Sequence, residues 1–115
     1  MGGNLFKLGR LPRAEYLALE ERLRGTFDDL FGDHYRIPRA YGDKADFGDM
    51  DVLVSDAVLG DATHDRVAAE ARWAALREQI VAALKPADTH LKGALFSTAT
   101  EGFQVDFFLK PDAEF

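Results

Sequence analysis

Two aspartates stand one residue apart at the start of an apolar run, in the segment Gly48-Asp49-Met50-Asp51-Val52-Leu53-Val54. Alternate side chains of a β-strand point to the same face, so Asp49 and Asp51 would lie together, about 7 Å apart, at the edge of an apolar core. Two carboxylates held there repel each other, and a cation that prefers oxygen ligands, Mg²⁺ or Mn²⁺, would relieve the repulsion. The alternative is a solvated aspartate pair in a turn before the strand.

A third acid lies late in the chain, in the apolar run of residues 103–109. Asp106 is flanked by Val105 and Phe107, and a carboxylate in so apolar a run needs a partner. If the Asp106 strand lies beside the strand of Asp49 and Asp51, three carboxylates converge at one sheet edge. Such a cluster can hold two divalent metal ions about 4 Å apart, one to acidify an attacking hydroxyl and one to neutralise a leaving pyrophosphate.

Hydrophobic spacing and capping residues predict the elements that would position these acids. Tyr16, Leu19, Leu23, Phe27 and Leu30 form one apolar helix stripe, and Val67, Trp73, Leu76, Ile80 and Leu84 form another. The first predicted helix runs from Pro12 to about Arg24 or Leu30, and Gly32-Asp33 ends it. A strand over 34–41, a loop over 42–48, a strand over 49–55 and a linker over 56–63 follow. The chain continues with a helix capped by Thr63 and ending at about Leu84, and with a hairpin of strands 91–99 and 103–109.

This α-β-β-α-β-β order predicts an α+β fold, a mixed β-sheet with helices packed on it. We expect one domain over residues 1–115, with a flexible arm at 1–9.

The bulk properties exclude several classes of function. A net charge of −6 argues against non-specific binding to duplex DNA. The lack of cysteine excludes disulfides and thiolate metal sites. No apolar run is long enough to span a membrane, so we expect a soluble, cytoplasmic protein.

The motif Gly48-Asp49-Met50-Asp51-Val52-Leu53, followed later by Val105-Asp106-Phe107, resembles the nucleotidyltransferase superfamily typified by DNA polymerase beta. The order of the elements over residues 34–109 is also similar to that family. The opening Gly2-Gly3-Asn4-Leu5-Phe6 looks like the start of some phage-encoded members.

The resemblance implies a role for each residue that matches the motif. Asp49 and Asp51 would ligate both metal ions, Asp106 would ligate the catalytic ion and help deprotonate the acceptor hydroxyl, and Gly48 would touch the phosphates. Where the family has Gly-Ser, this chain has Pro38-Arg39 or, with a shorter loop, Gly42-Asp43. Arg39 or Lys44 would then serve as the phosphate-binding cation, unless these are solvated loop charges.

Two functions from different classes follow from the resemblance. The first is transfer of a nucleoside monophosphate from an NTP to a hydroxyl on a small molecule, an RNA end or a protein, with release of pyrophosphate. The second is a catalytically weakened domain of the same fold that binds a protein partner, as antitoxins do. An unrelated α+β domain with a structural cation is a third possibility. We do not expect a template-directed polymerase, because 115 residues leave no room for its further domains.

Overall fold

The computed structural model describes residues 10–38 and 46–111. The elements in chain order are β1 (Leu11–Pro12), α1 (Arg13–Phe31), β2 (Tyr35–Arg36), β3 (Asp46–Phe47), β4 (Asp49–Ser55), a 3₁₀ segment (Asp56–His64), α2 (Arg66–Leu84), β5 (Asp88–Lys92), β6 (Leu95–Thr100) and β7 (Phe103–Lys110). The predicted α+β class with a mixed sheet is confirmed for these residues. None of the described helices combines the length and apolar character needed to cross a membrane.

The main sheet has the strand order β2-β4-β7-β6-β5. β4 and β7 run parallel, with Asp51 opposite Asp106, whereas the other neighbouring pairs run antiparallel. β1 and β3 form a separate two-stranded pair that joins the start of α1 to the residues just before β4. The predicted neighbourhood of the two acid-bearing strands is therefore confirmed.

Both helices pack on the same face of the main sheet. The aromatic rings of Phe27 in α1 and Phe107 in β7 meet edge to face, with centroids 5.6 Å apart. From α2, the Arg77 guanidinium lies 6.0 Å from the ring centroid of Phe96, which is the cross-strand partner of Phe107. Met50, Val52 and Val105 are completely buried on this same face. Strand alternation therefore turns Asp49, Asp51 and Asp106 towards the opposite face.

Local sequence explains how α1 and the β6–β7 hairpin end. α1 stops at Gly32, which has a φ of 62° and donates its N–H to the Asp28 carbonyl, as a helix-terminating glycine can. The hairpin turns through Glu101 and Gly102, whose φ values of 54° and 78° suit a two-residue turn between twisted strands. The predicted end of the first helix and the predicted hairpin turn are both confirmed.

Five predictions about the elements are wrong. The linker predicted over 56–63 is the 3₁₀ segment, and the loop predicted over 42–48 contains β3. α2 is capped by Asp65 instead of Thr63, because the Asp65 carboxylate accepts hydrogen bonds from the N–H groups of Val67 and Ala68. The segment predicted as one strand over 91–99 is two strands, β5 and β6, separated by a turn in which Gly93 has a φ of 60°. The strand predicted over 34–41 is only two residues long within the described residues.

One residue of the predicted apolar stripe on the second helix does not face the core. Val67 belongs to that stripe, yet 79% of its surface is exposed. It lies in the first turn of α2. The buried residues of the helix are Trp73, Leu76 and Ile80, and Ala68 and Ala69 pack partly buried against the core.

Phe107→Ala should lower the free energy of unfolding by about 3–5 kcal/mol, because the Phe107 ring is completely buried among Phe27, Phe31 and Phe96. Urea denaturation followed by circular dichroism measures the loss. Leu17→Ala on the exposed side of α1 is the control and should cost about 0.5 kcal/mol or less. Equal losses in the two variants would contradict this assignment of the core.

Candidate metal centre

The parallel pairing of β4 and β7 brings the three predicted acids together. Asp51 lies opposite Asp106, and Asp49 lies opposite Gln104. Each of the three aspartates presents a carboxylate oxygen, and these oxygens all lie within 4.8 Å of one another. Oxygen ligands at this separation can be shared by one hard cation, so the cluster could hold a metal ion.

The three acids differ in how far they reach into the protein. Asp106 is only 3% exposed, whereas Asp49 is half-buried and Asp51 reaches solvent. A ligand from outside would therefore meet Asp49 and Asp51 first and Asp106 at the bottom of the cluster. Gly48 is buried directly before Asp49, so no Cβ stands at the point where the chain enters the site.

A buried amide orients the deepest acid. The Gln104 side-chain nitrogen donates to both oxygens of the Asp106 carboxylate, at 3.0 and 3.1 Å. Gln104 is itself 2% exposed, and it shares a strand face with Asp106 because the two residues are two positions apart on β7. The carboxylate is thus held in one orientation before any cation binds.

The Ser97 hydroxyl is the second polar neighbour of Asp106. Ser97 on β6 pairs directly with Asp106 in the antiparallel ladder and is 1% exposed. Its hydroxyl is close enough to lower the pKa of Asp106, although its oxygen meets no described residue with full hydrogen-bonding geometry. We therefore treat Ser97 as a weaker support than Gln104.

Burial raises the pKa of the Asp106 carboxyl above its ordinary value of 3.8. The nearby Ser97 hydroxyl and the hydrogen bonds from Gln104 oppose this rise in pKa. The charge of Asp49 reinforces the rise, and Asp49 also favours the protonated form by accepting its hydrogen bond. Without a cation, ionised Asp106 is consequently a cost to the folded state. A bound cation would reverse the sign of the local potential and stabilise the ionised form.

Tyr16 of α1 lies near the cluster, which its place in an apolar stripe did not reveal. Its ring packs edge to face on Phe103, with centroids 6.0 Å apart. The pKa of its hydroxyl is raised to about 12 by burial, then by the charges of Glu20, Asp51 and Asp49. Tyr16 therefore stays protonated at neutral pH on the helix side of the acids.

The sequence missed three neighbours of the site, for different reasons. Gln104 carried a usable signal, since it occupies the same strand face as Asp106. Ser97 and Tyr16 carried none, because only the strand pairing and the helix position place them there. Three of the predicted phosphate-binding residues, Arg39, Gly42 and Lys44, lie outside the described residues.

Comparison of the sequence with models of known protein families finds no match, and a search of curated proteins finds none either.

In metal-free buffer, Asp106→Asn should make the protein more stable at neutral pH. The folded wild type holds the Asp106 proton more tightly than the unfolded chain, so its stability falls as pH rises from about 3.8 through the raised pKa and then levels off. Asparagine lacks this titration and can still accept from Gln104. Urea denaturation from pH 3.5 to 8 in EDTA should show the variant's advantage growing with pH.

The control for that experiment is Asp29→Asn, which alters an exposed aspartate near the end of α1. Its stability difference from wild type should not grow over the same pH range. An advantage of Asp106→Asn over the wild type that shrinks as pH rises would contradict the assigned pKa direction.

Asp51→Asn should abolish binding of Mg²⁺ or Mn²⁺ and leave the fold near wild-type stability, because it removes one ligand of three at the solvent side of the cluster. Metal at 100 times its dissociation constant should raise the free energy of unfolding of the wild type by about 2.7 kcal/mol and that of the variant by almost nothing. Thermal melts with and without metal measure this. A variant that unfolds would instead assign Asp51 a structural role.

Proposed function

We propose that this protein is a metal-dependent nucleotidyltransferase that moves a nucleoside monophosphate from an NTP to a hydroxyl acceptor and releases pyrophosphate. The observation that supports the proposal most is the convergence of Asp49, Asp51 and Asp106 from two adjacent parallel strands onto one face of the sheet. The resemblance of the Gly48–Leu53 and Val105–Phe107 motifs to that superfamily gives the specific reaction.

The positions of the three acids suit two different tasks in the proposed transfer reaction. Asp49 and Asp51 lie at the solvent side, where they would ligate cations that a triphosphate brings with it. Asp106 lies deepest and would complete the ligand set and accept the proton of the acceptor hydroxyl. Bound Mg²⁺ or Mn²⁺ would neutralise charge on the phosphates and lower the pKa of that hydroxyl.

The surroundings of Asp106 suit such a role. Gln104 fixes the carboxylate through both oxygens and leaves their remaining lone pairs for a cation. In the metal-free protein burial raises the pKa of Asp106, and a bound cation would favour the ionised carboxylate that can accept a proton from a substrate hydroxyl. Gly48, by lacking a side chain, would let the backbone approach the phosphates of the nucleotide.

Charge makes any nucleotide binding here strictly dependent on metal. A triphosphate carries about four negative charges at neutral pH, and the cluster adds three carboxylates in a chain whose net charge is −6. Direct contact between the two would be repulsive. Nucleotide and divalent cation should therefore bind together or not at all.

Calorimetric titration should detect binding of a non-hydrolysable ATP or GTP analogue in Mg²⁺ and none in EDTA. The double variant Asp49→Asn/Asp51→Asn should lose this binding by at least about 100-fold, since it removes two of the three ligands. The matched control is Asp29→Asn/Asp33→Asn, which removes the same two charges from the exposed end of α1 and should bind as the wild type does.

The results distinguish the transferase from the other two candidate functions and from non-specific binding. Metal-dependent nucleotide binding that only the first double variant loses would support the transferase and justify a search for the acceptor with labelled NTPs. Metal binding without nucleotide binding would favour a structural cation or a weakened domain. Loss in both double variants would mean that net charge, not the site, governs binding, and would contradict the proposal.

A further inference from the structure

β5 is a free edge of the main sheet. It lies at one end of the strand order, pairs with β6, and pairs with no other strand among residues 10–38 and 46–111. All five of its residues are exposed. The opposite edge, β2, is only two residues long. An exposed edge of five residues without proline or a bulge is a template for another strand.

The sequence of β5 is complementary to itself in one arrangement. If two copies of Asp88-Thr89-His90-Leu91-Lys92 pair antiparallel about His90, Asp88 of each copy lies opposite Lys92 of the other. Thr89 then lies opposite Leu91. Opposite charges in directly facing positions stabilise a strand pair, whereas a parallel in-register pair would set like charges side by side.

The helix side of this edge combines exposed apolar side chains with the charged side chains of Glu70, Arg77 and Glu78. Leu91 and the α2 residues Val67, Ala71 and Ala74 line one open groove of about 520 Å³, and Ala74 and Val81 line the adjoining one. We call these together the α2–β5 groove. Of the large apolar side chains exposed on the described residues, Val67 (79%), Val81 (40%) and Leu91 (44%) belong to it, and Leu17 (42%) on α1 does not.

These two features are continuous. Strand alternation puts Thr89 and Leu91 on the helix-packed side of the sheet, so a strand added at β5 would extend the sheet directly beneath the α2–β5 groove. A second copy would bring its own groove to the same place. Backbone pairing, two Asp88–Lys92 ion pairs and apolar contact would then form one interface.

We propose that the protein forms a two-fold symmetric dimer in which β5 pairs antiparallel with β5 of a second copy about His90, with the α2–β5 grooves facing each other. The arrangement joins two five-stranded sheets into one. It uses neither Asp49, Asp51 nor Asp106, so it stands or falls independently of the proposed activity.

Sedimentation equilibrium of the full chain between about 5 and 200 μM, in EDTA to prevent bridging by cations, should show a reversible monomer–dimer equilibrium. Asp88→Lys and Lys92→Asp should each weaken the dimer at least 10-fold, because each sets two pairs of like charges face to face. An equimolar mixture of the two variants should dimerise again, because every facing pair then carries opposite charges.

A second pair of variants tests the groove. Val81→Lys should weaken the dimer, whereas Leu17→Lys, at a side chain of similar exposure on α1, should leave it unchanged. Circular dichroism establishes that each variant is folded. A wild type that stays monomeric throughout, a dimer that tolerates both charge changes, or charge variants that fail to associate when mixed would each overturn the proposal.

Discussion

The parallel pairing of β4 with β7 is the contact on which both the core and the candidate site depend. Its register puts Met50 beside Val105 and Val52 beside Phe107 on the helix side. The same register puts Asp51 beside Asp106 on the other side. A shift of this strand register by one residue would carry the acids into the core and the apolar residues out of it. The free-energy cost of such a shift would exceed the small net stability of a domain. The aromatic packing around Phe107 therefore also fixes the geometry of the carboxylates.

The site is a place where the chain accepts an electrostatic cost. Asp106 is buried, near a second carboxylate, and its pKa is raised accordingly. The single amide of Gln104 offsets part of that cost and leaves the rest. Clusters of this kind, expensive in the free protein and relieved by a cation, are more typical of binding sites than of structural cores. Burial of the rings of Phe27, Phe103 and Phe107 stabilises the fold and offsets the electrostatic cost of the carboxylate cluster.

Period-two alternation and residue type were enough to predict β4 and the core face of β7. The convergence of the three acids followed only on the condition that the two strands lie side by side, and the observed pairing of β4 with β7 meets that condition. Alternation and residue type failed where two local signals competed or none existed. Thr63 and Asp65 are both good caps, and only the hydrogen bonds to Val67 and Ala68 decide between them. The sequence of β5 gives no alternation of buried apolar and exposed polar residues that would predict a strand, because all of its side chains are exposed. The roles of Ser97 and Tyr16 depend on strand pairing and helix placement, which a single sequence does not encode in its spacing.

The separation of the acids along the chain has a kinetic consequence. Asp51 and Asp106 are about 55 residues apart in sequence. They can meet only when the chain between them, which forms the 3₁₀ segment, α2, β5 and β6, closes into a loop that places β7 beside β4. Closing such a loop between parallel strands is slow and comes with the rest of the sheet, so no early intermediate with local structure alone can contain all three ligands. A cation would then bind only after the sheet has folded. A bound ion would mainly lower the rate of unfolding and would have little effect on the rate of folding.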